Sequence, residues 1–135
     1  MNSFELAIQV DRADIDALGH VNNVVYLAWM QRAAAAHWEA AAPEALRKAV
    51  AWVVIRHEID YAAPAYLGER LLVRTWTGKA TAATWERLTE VRRVADAKLL
   101  ARGRSVYAAL DPATSRPRRL DAALRAPFEA AGTPP

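Results

Sequence analysis

A polar, turn-forming run lies between Asp14 and Tyr26 and leads into a long apolar segment. Its polar and turn-forming residues are Asp14, Asp16, Gly19, His20, Asn22 and Asn23. Glycine adopts positive φ without strain, and the first turn of a helix leaves backbone N–H groups unpaired, with positive partial charge. A carboxylate beside such N–H groups could act on an acyl carbonyl placed between them. The run is therefore a candidate site of acyl chemistry.

The run from Asp14 to Asn23, with Tyr26 three residues later, resembles the signature of hotdog-fold thioesterases of the 4-hydroxybenzoyl-CoA thioesterase type. Weaker similarities at residues 59–64 and 101–110 extend the resemblance over nearly the whole chain. The resemblance implies an α+β hotdog fold, in which a five-stranded antiparallel sheet wraps a long central helix. It also implies a homodimer or homotetramer with active sites at the subunit interface.

The resemblance places catalysis on Asp16, Asn23 and His20. Asp16 corresponds to the family's carboxylate that acts as general base toward water or as nucleophile; a turn or N-cap role is the alternative, and turn formation is favoured for Asp14. Asn23 corresponds to the residue whose backbone N–H polarises the thioester carbonyl. His20 could orient Asp16 or the substrate, or could bond only to the backbone.

Substrate-binding roles are expected for Gly19, Asn22, Tyr26 and Lys79. Gly19 would allow the chain to approach the substrate closely, or would simply form a turn. Asn22, like Asn23, could equally cap the helix, and Tyr26 could bond near the site or pack. Lys79 lies in a predicted turn where the resemblance suggests the CoA nucleotide.

Other residues depart from the family pattern or are interpreted as structural. Gln31 stands where many relatives carry an acidic residue, so a second helix carboxylate is not expected. His37 and His57 have no carboxylate or second histidine at metal-ligand spacing, so both are interpreted as packing or surface residues and no metal is expected. Most of the tryptophans are assigned to the core, although Trp29 or Trp52 could line an acyl pocket.

The apolar segment over residues 24–42 predicts a buried helix that Pro43 ends. Arg32 and Glu39 are seven residues apart and should share one narrow solvent-exposed stripe. Because two charges and a histidine interrupt the segment, it is not expected to span a membrane. This helix would carry the polar run at its N-terminus.

Strand patterns occupy residues 4–10, 49–61, 70–78, 84–94 and 99–110. Their short connections leave no room for crossover helices, so the sheet should be antiparallel. The alternation within residues 84–94 does not reveal an inward face. Residues 121–131 predict a short helix with Asp121 as N-cap.

The chain has 135 residues, 53% of them hydrophobic and 24% charged, which fits a single domain over residues 1–135. A domain of this size has a modest core, and oligomerisation would bury further surface. The absence of cysteine excludes disulfides and thiolate catalysis. No signal-peptide pattern opens the chain, so a cytoplasmic location is expected.

The net charge of +3 comes from basic residues concentrated in the last third of the chain. They are Arg92, Arg93, Lys98, Arg102, Arg104, Arg116, Arg118, Arg119 and Arg125. A solvated basic face is the favoured interpretation, and contact with the phosphates of a CoA-like carrier is the alternative. Nucleic acid is not expected as a partner, because no zinc spacing or RNA-recognition signature accompanies the charge.

The combined prediction is an acyl-CoA thioesterase that uses water and no cofactor; an acyl carrier protein could also supply the acyl group. A hotdog-type enoyl-CoA hydratase is one alternative, although it would act on the Cα to Cβ bond and fits the run from Gly19 to Asn23 less well. A non-catalytic acyl-CoA-binding protein is another, against which the intact Asp16 argues. The acyl group stays open, because its pocket would be shaped by two subunits.

Overall fold

The computed structural model describes residues 2–129, in which one long helix lies against a curved five-stranded sheet. The elements in chain order are β1 (Ser3–Gln9), a 3-10 turn (Arg12–Asp14), α1 (Asn23–Ala41), α2 (Glu44–Ala49), β2 (Ala51–Tyr61), β3 (Arg70–Ala80), β4 (Thr84–Arg93), β5 (Leu99–Leu110) and α3 (Ala122–Glu129). Helix α2 is not among the predicted elements, because its six residues are too few to show a helical period. The other elements match the prediction to within two residues at the ends that the structure describes.

The sheet has the strand order β1-β3-β4-β5-β2, and all neighbouring strands are antiparallel. The α+β hotdog architecture that the sequence predicts is therefore confirmed. The last part of the predicted C-terminal helix, residues 130–131, lies outside the described residues. Asp121 caps α3 as predicted, since its Oδ1 accepts a hydrogen bond of 2.9 Å from the Leu124 N–H.

Strand β2 forms one edge of the sheet and is eleven residues long. Its outer side pairs with no other strand among the described residues. Val53 and Ile55 on this strand are 44% and 58% exposed. A long edge with exposed apolar side chains readily pairs with another strand.

Helix α1 buries one side against the sheet and leaves the other side open. Met30 lies directly on β5, where a Cβ at Gly103 would come within 2.5 Å of the methionine sulfur. Arg32 and Glu39 are exposed as predicted, but the prediction of a narrow exposed stripe is wrong. Val24 is 71% exposed, and Ala28, Gln31 and Ala35 are also exposed, because the sheet of one chain covers only part of the helix circumference. Among residues 2–129, no helix has the length and apolar character needed to cross a membrane.

The inward face of β4 contains an arginine among apolar and small polar residues. Trp85, Thr89 and Val91 are buried beneath the helix. Arg87 lies between Trp85 and Thr89 in the same alternation of the strand, so it faces inward too. The register pairs Arg87 with Ser105 on β5. A charged residue at an inward position obscures the alternation of apolar and polar residues, which is why the sequence does not reveal this face.

Candidate active site

The polar run before α1 folds into a small hairpin. Ile15 and Val21 form an isolated antiparallel bridge, and the Asp16 N–H donates to the His20 carbonyl over 3.1 Å. The Gly19 N–H donates to the Asp16 carbonyl over 3.0 Å, and Gly19 has a φ of 84°. A positive φ of this size favours glycine, so the turn needs this residue whatever it contacts.

One carboxylate oxygen of Asp16 is hydrogen-bonded to the backbone, and within the described residues the other is not. Its Oδ1 accepts a hydrogen bond of 2.9 Å from the Leu18 N–H. No hydrogen bond among residues 2–129 uses Oδ2, and the side chain is partly exposed. The turn therefore orients the carboxylate and leaves Oδ2 open to water or to a substrate.

The start of α1 lies beside this hairpin. The Asn22 N–H donates to the Asp14 carbonyl over 2.9 Å, and the Asn22 Oδ1 caps the helix by accepting from the Val24 N–H over 2.9 Å. Within the described part of the chain, the Asn23 N–H donates to no acceptor. An unpaired N–H at a helix start carries positive partial charge, so it can stabilise an oxyanion.

The His20 ring is hydrogen-bonded to the backbone of the next residue. The Val21 carbonyl lies 3.3 Å from its Nδ1, which must therefore carry the proton and donate. No hydrogen bond within residues 2–129 joins His20 to Asp16. The backbone-bonded interpretation of His20 is thus the one that matches the structure, and any orienting role would need the bound substrate.

Tyr26 lies below the candidate site and is only 2% exposed. Its ring packs edge to face against Trp29 and Tyr61, with centroid distances of 5.3 and 5.4 Å. Tyr26 therefore packs in the core, and its role at the site stays a prediction. Tyr61, which the sequence does not single out, donates from its hydroxyl to the Asn23 carbonyl over 2.8 Å and so ties β2 to the start of α1.

Lys79 is far from Asp16 within one chain. It lies in β3, next to a β-bulge, and not in the turn where the sequence places it. The hairpin that carries Asp16 bonds to Ala65, shortly before β3 begins at Arg70, whereas Lys79 stands nine residues further along that strand. At the rise of an extended strand this separation is roughly 30 Å. Only a second subunit could bring the two residues to one site.

A cavity of about 330 Å³ lies between α1 and the inward face of the sheet. Its aromatic lining residues are Trp38, Trp52, Trp85, Tyr107 and Phe128, and its polar ones are Gln31, Thr77, Glu86 and Arg87. Trp38 packs perpendicular to Trp52 and parallel to Phe128, with centroid distances of 5.6 and 5.7 Å. The prediction that Trp52 could line a pocket matches this arrangement, whereas Trp29 is buried in the core around the first half of α1.

The cavity and the polar hairpin lie at different places along α1. Gln31, the first residue of α1 that lines the cavity, is eight residues after Asn23. At 1.5 Å per residue this is about 12 Å along the helix axis. A short acyl group bound at Asn23 would therefore not reach the cavity of the same chain.

A buried hydrogen-bonded cluster holds Arg87 at the cavity. Its Nη1 donates to the His37 Nδ1 over 3.0 Å and to the Thr75 Oγ1 over 3.1 Å. Since a guanidinium only donates, His37 Nδ1 must accept, and its Nε2–H donates to the Asn2 Oδ1 over 3.1 Å. Burial, and secondarily the charge of Arg87, lower the pKa of His37 to about 4. His37 is a packing residue as predicted, but it also fixes the direction of the guanidinium.

This cluster should make stability depend on pH. The folded pKa of His37, about 4, is below the usual 6.5, so between these values the unfolded chain binds a proton that the folded chain does not. We expect the free energy of unfolding to fall by about 3 kcal/mol more in the wild type than in His37→Gln as the pH drops from 7 to 4. Urea denaturation at several pH values measures both curves, and parallel curves would contradict the assigned protonation state.

Many of the basic residues in the last third of the chain pair with carboxylates. Arg93 contacts Glu69 at 2.8 Å, and Arg104 contacts Glu58 at 3.2 Å. Further pairs are Arg92–Glu90, Arg118–Asp121 and Arg125–Glu129. This pairing favours the solvated-face interpretation of the basic residues. In the described range, no group of three or more histidine, aspartate and glutamate residues has the geometry to hold a metal ion.

A sequence model of the Thioesterase-like superfamily matches residues 10–128. No curated protein sequence matches significantly.

Several solved structures have the same fold. One is a thioesterase from Thermus thermophilus complexed with coenzyme A and Zn; it is 29% identical to this chain, with a TM-score of 0.83, and the match covers 94% of this chain and 98% of that chain. A 1,4-dihydroxy-2-naphthoyl-CoA thioesterase from Synechocystis has 23% identity, a TM-score of 0.84 and coverage of 98% and 100%. A probable thioesterase from Escherichia coli has 21% identity, a TM-score of 0.81 and coverage of 93% and 96%.

Proposed function

Because the chain belongs to the Thioesterase-like superfamily, we propose that it hydrolyses an acyl-CoA thioester to a free acid and CoA, with Asp16 as the catalytic carboxylate. The observation that carries this proposal is that one carboxylate oxygen of Asp16 and the N–H of Asn23 both lack a hydrogen-bond partner among residues 2–129. The hairpin and the Asn22 cap hold both groups at the start of α1. The bound coenzyme A in the Thermus thermophilus thioesterase supports a CoA thioester as substrate.

In the proposed reaction the thioester carbonyl oxygen accepts a hydrogen bond from the Asn23 N–H. Negative charge builds on that oxygen when a nucleophile adds to the carbonyl carbon, and the helix start stabilises it. Asp16 either takes a proton from the attacking water or attacks directly through Oδ2. In the first case the proton passes to the leaving CoA thiolate. In the second, the C–S bond breaks and CoA thiolate leaves as an acyl–Asp16 anhydride forms; water then hydrolyses the anhydride and supplies the proton that the thiolate takes.

The separation of the hairpin from the cavity supports a site shared by two subunits. We propose that β2 pairs with its copy across a two-fold axis near Arg56, in the middle of the strand. Antiparallel pairing would then set the partner's Tyr61 near Trp52, which lines the cavity. Because Tyr61 is bonded to Asn23, the catalytic hairpin of one subunit would face the cavity of the other. Lys79 would then stand on the same side as that hairpin, where it could contact CoA.

The cavity supports an aromatic or short acyl group. An apolar cavity of about 150 Å³ binds a benzene ring, so one of about 330 Å³ would hold roughly two fused rings. A 1,4-dihydroxy-2-naphthoyl group, the acyl group named for the Synechocystis thioesterase, has that size. Long unbranched acyl chains would exceed the cavity.

A panel of acyl-CoA and acyl carrier protein thioesters tests the proposed activity. Purified protein is incubated with benzoyl-, 4-hydroxybenzoyl-, hexanoyl-, palmitoyl- and crotonyl-CoA, and with the corresponding carrier-protein thioesters, while free thiol is followed. Thiol release from the aromatic thioesters supports the proposal. Water addition to crotonyl-CoA without thiol release would indicate a hydratase, and binding without either reaction would indicate an acyl-CoA-binding protein.

Mixing two inactive variants tests the shared site. Asp16→Asn removes the proposed catalytic group, and Ala35→Phe obstructs the cavity from an exposed position on α1. After unfolding together and refolding, half of the dimers would be mixed, and each would hold one site with both parts intact. We expect activity to recover to roughly a quarter of the wild-type value. Size-exclusion chromatography checks that each variant remains a dimer, and no recovery from verified mixed dimers would place both parts in one subunit.

A further inference from the structure

Arg87 is a half-buried cation without an anionic partner among residues 2–129. None of the ion pairs formed among residues 2–129 includes Arg87. Its hydrogen-bond partners, His37 and Thr75, are neutral. A buried charge is costly unless a counter-charge compensates it, and burial accordingly lowers the pKa of Arg87 to about 10. The guanidinium still carries its charge at neutral pH.

One edge of the guanidinium is unused. Both N–H groups of Nη1 are directed at His37 and Thr75. The Nε–H and the two N–H groups of Nη2 donate to no atom of residues 2–129, and neither nitrogen is among the fully enclosed unpartnered atoms of that range. This edge presents parallel donors in the geometry that binds a carboxylate through both oxygens.

The unused edge belongs to a residue that lines the aromatic cavity. Tyr107 on β5 lines the same cavity, and its hydroxyl makes no hydrogen bond to any described residue. Arg87 and Tyr107 therefore both bring unused donors to this cavity. Its other polar lining residues are Gln31, Thr77 and Glu86, and the Glu86 carboxylate is paired with Arg104. A few convergent polar groups in an apolar pocket are what fixes the orientation of a ligand.

We propose that the acyl group of the substrate carries a second carboxylate, remote from the thioester, which Arg87 binds through its Nε and Nη2 edge. This inference rests on the proposed function, because it takes the cavity to be the acyl pocket. A neutral hydroxyl would accept a hydrogen bond but would leave the buried charge unbalanced. A carboxylate satisfies both the charge and the paired donors. Tyr107 donates to the same carboxylate or to a ring substituent beside it.

His37 and Thr75 are positioning residues for Arg87. They take the two N–H groups of Nη1 and so direct the opposite edge away from the sheet. His37 is itself stacked between Phe4 and Phe128, with centroid distances of 5.6 and 4.9 Å, which keeps its ring from turning. The guanidinium is thus held in place before a ligand arrives, and little conformational freedom is lost on binding.

Two substrates of nearly equal shape test the inference. In 4-carboxybenzoyl-CoA the ring carries a carboxylate opposite the thioester, and in 4-methylbenzoyl-CoA it carries a methyl group. We expect the wild type to have a kcat/KM about 10²-fold higher for the carboxylated substrate, and Arg87→Met to abolish that preference. Arg102→Met is the matched control: it removes an exposed arginine from the outward face of β5, away from the cavity, and the preference should persist.

The outcomes separate this inference from the proposed activity. Hydrolysis of both substrates with a preference that Arg87→Met leaves unchanged would overturn the carboxylate site while the thioesterase proposal stands. If neither substrate is hydrolysed, terephthalate is titrated while the fluorescence of the cavity tryptophans is followed. Saturable quenching that Arg87→Met abolishes and Arg102→Met retains would support the anion site alone, and no quenching would overturn it.

Arg87→Lys covers the case in which Arg87→Met does not fold, as judged by circular dichroism. Lysine keeps the charge but cannot present two parallel donors. We then expect the preference for the carboxylated substrate to fall at least about tenfold. An unchanged preference in a folded Arg87→Lys would contradict the paired contact.

Discussion

Asp16→Asn is expected to lower kcat by roughly 10² to 10⁴, because a general base or nucleophile contributes about that much to the rate. The fold should be retained, since the asparagine side-chain oxygen can still accept from the Leu18 N–H as the Asp16 Oδ1 does. The oligomer should also persist, because the substitution has nearly the same shape. Steady-state kinetics on the best thioester of the panel measure the loss, and circular dichroism and chromatography verify the structure.

Asp14→Asn is the matched control for this prediction. Asp14 Oδ2 accepts from the Asp11 N–H over 3.0 Å and completes a capping box at the 3-10 turn, a structural role that an amide oxygen can also fill. We expect this variant to stay within a few-fold of the wild-type rate. A residual rate within tenfold of wild type for Asp16→Asn would remove Asp16 from the mechanism. Mass spectrometry during a single turnover distinguishes the two roles, since only a nucleophile leaves an acyl group on Asp16.

Asn23→Pro is expected to lower kcat by roughly 10² to 10³ by removing the proposed oxyanion donor. Proline is favoured at the first position of a helix, and Asn23 holds that position in α1. The preceding residue must be extended, which Asn22 already is, with φ −61° and ψ 136°. The variant therefore deletes one N–H group that no other atom of residues 2–129 accepts. Thiol release under saturating substrate measures kcat.

Asn23→Ala is the control that separates the backbone from the side chain. The Asn23 side chain is exposed, and the helix cap is supplied by Asn22. We expect the alanine variant to lose little activity, because its N–H remains in place. A loss as large as that of Asn23→Pro would transfer the role to the side-chain amide. Near-wild-type activity in a folded Asn23→Pro would exclude the Asn23 N–H as the donor.

Much of the fold and the location of the candidate site could be predicted from local patterns. The periodicity of residues 4–10 and 99–110 predicts strands that the structure confirms as β1 and β5. The long apolar segment ended by Pro43 predicts α1, and the hairpin residues stand next to one another in the chain. Periodicity, turn chemistry and helix capping all act over a few residues, so they leave a direct trace in the order of amino acids.

The cluster of Arg87, His37, Thr75 and Asn2 could not be predicted in this way. Its members come from β4, α1, β3 and the chain start, and His37 and Arg87 are fifty residues apart. Nothing near Arg87 in the chain indicates that it faces inward, since an arginine on a strand is ordinarily exposed. The register with Thr77 and Ser105 decides its direction. The prediction that Lys79 lies in a turn is wrong, because β3 continues through a β-bulge to Ala80.

The sequence by itself determined the central helix and the strands, and its resemblance to a known family points to Asp16 and Asn23 for the proposed chemistry. Only the tertiary structure decided which face of β4 meets the helix, where the aromatic cavity lies and which cation it contains. Helix and turn signals are local, whereas cavity walls and buried charges depend on contacts between distant segments. The same structure separates the cavity from the hairpin of its own chain, because the two lie about 12 Å apart along a rigid helix.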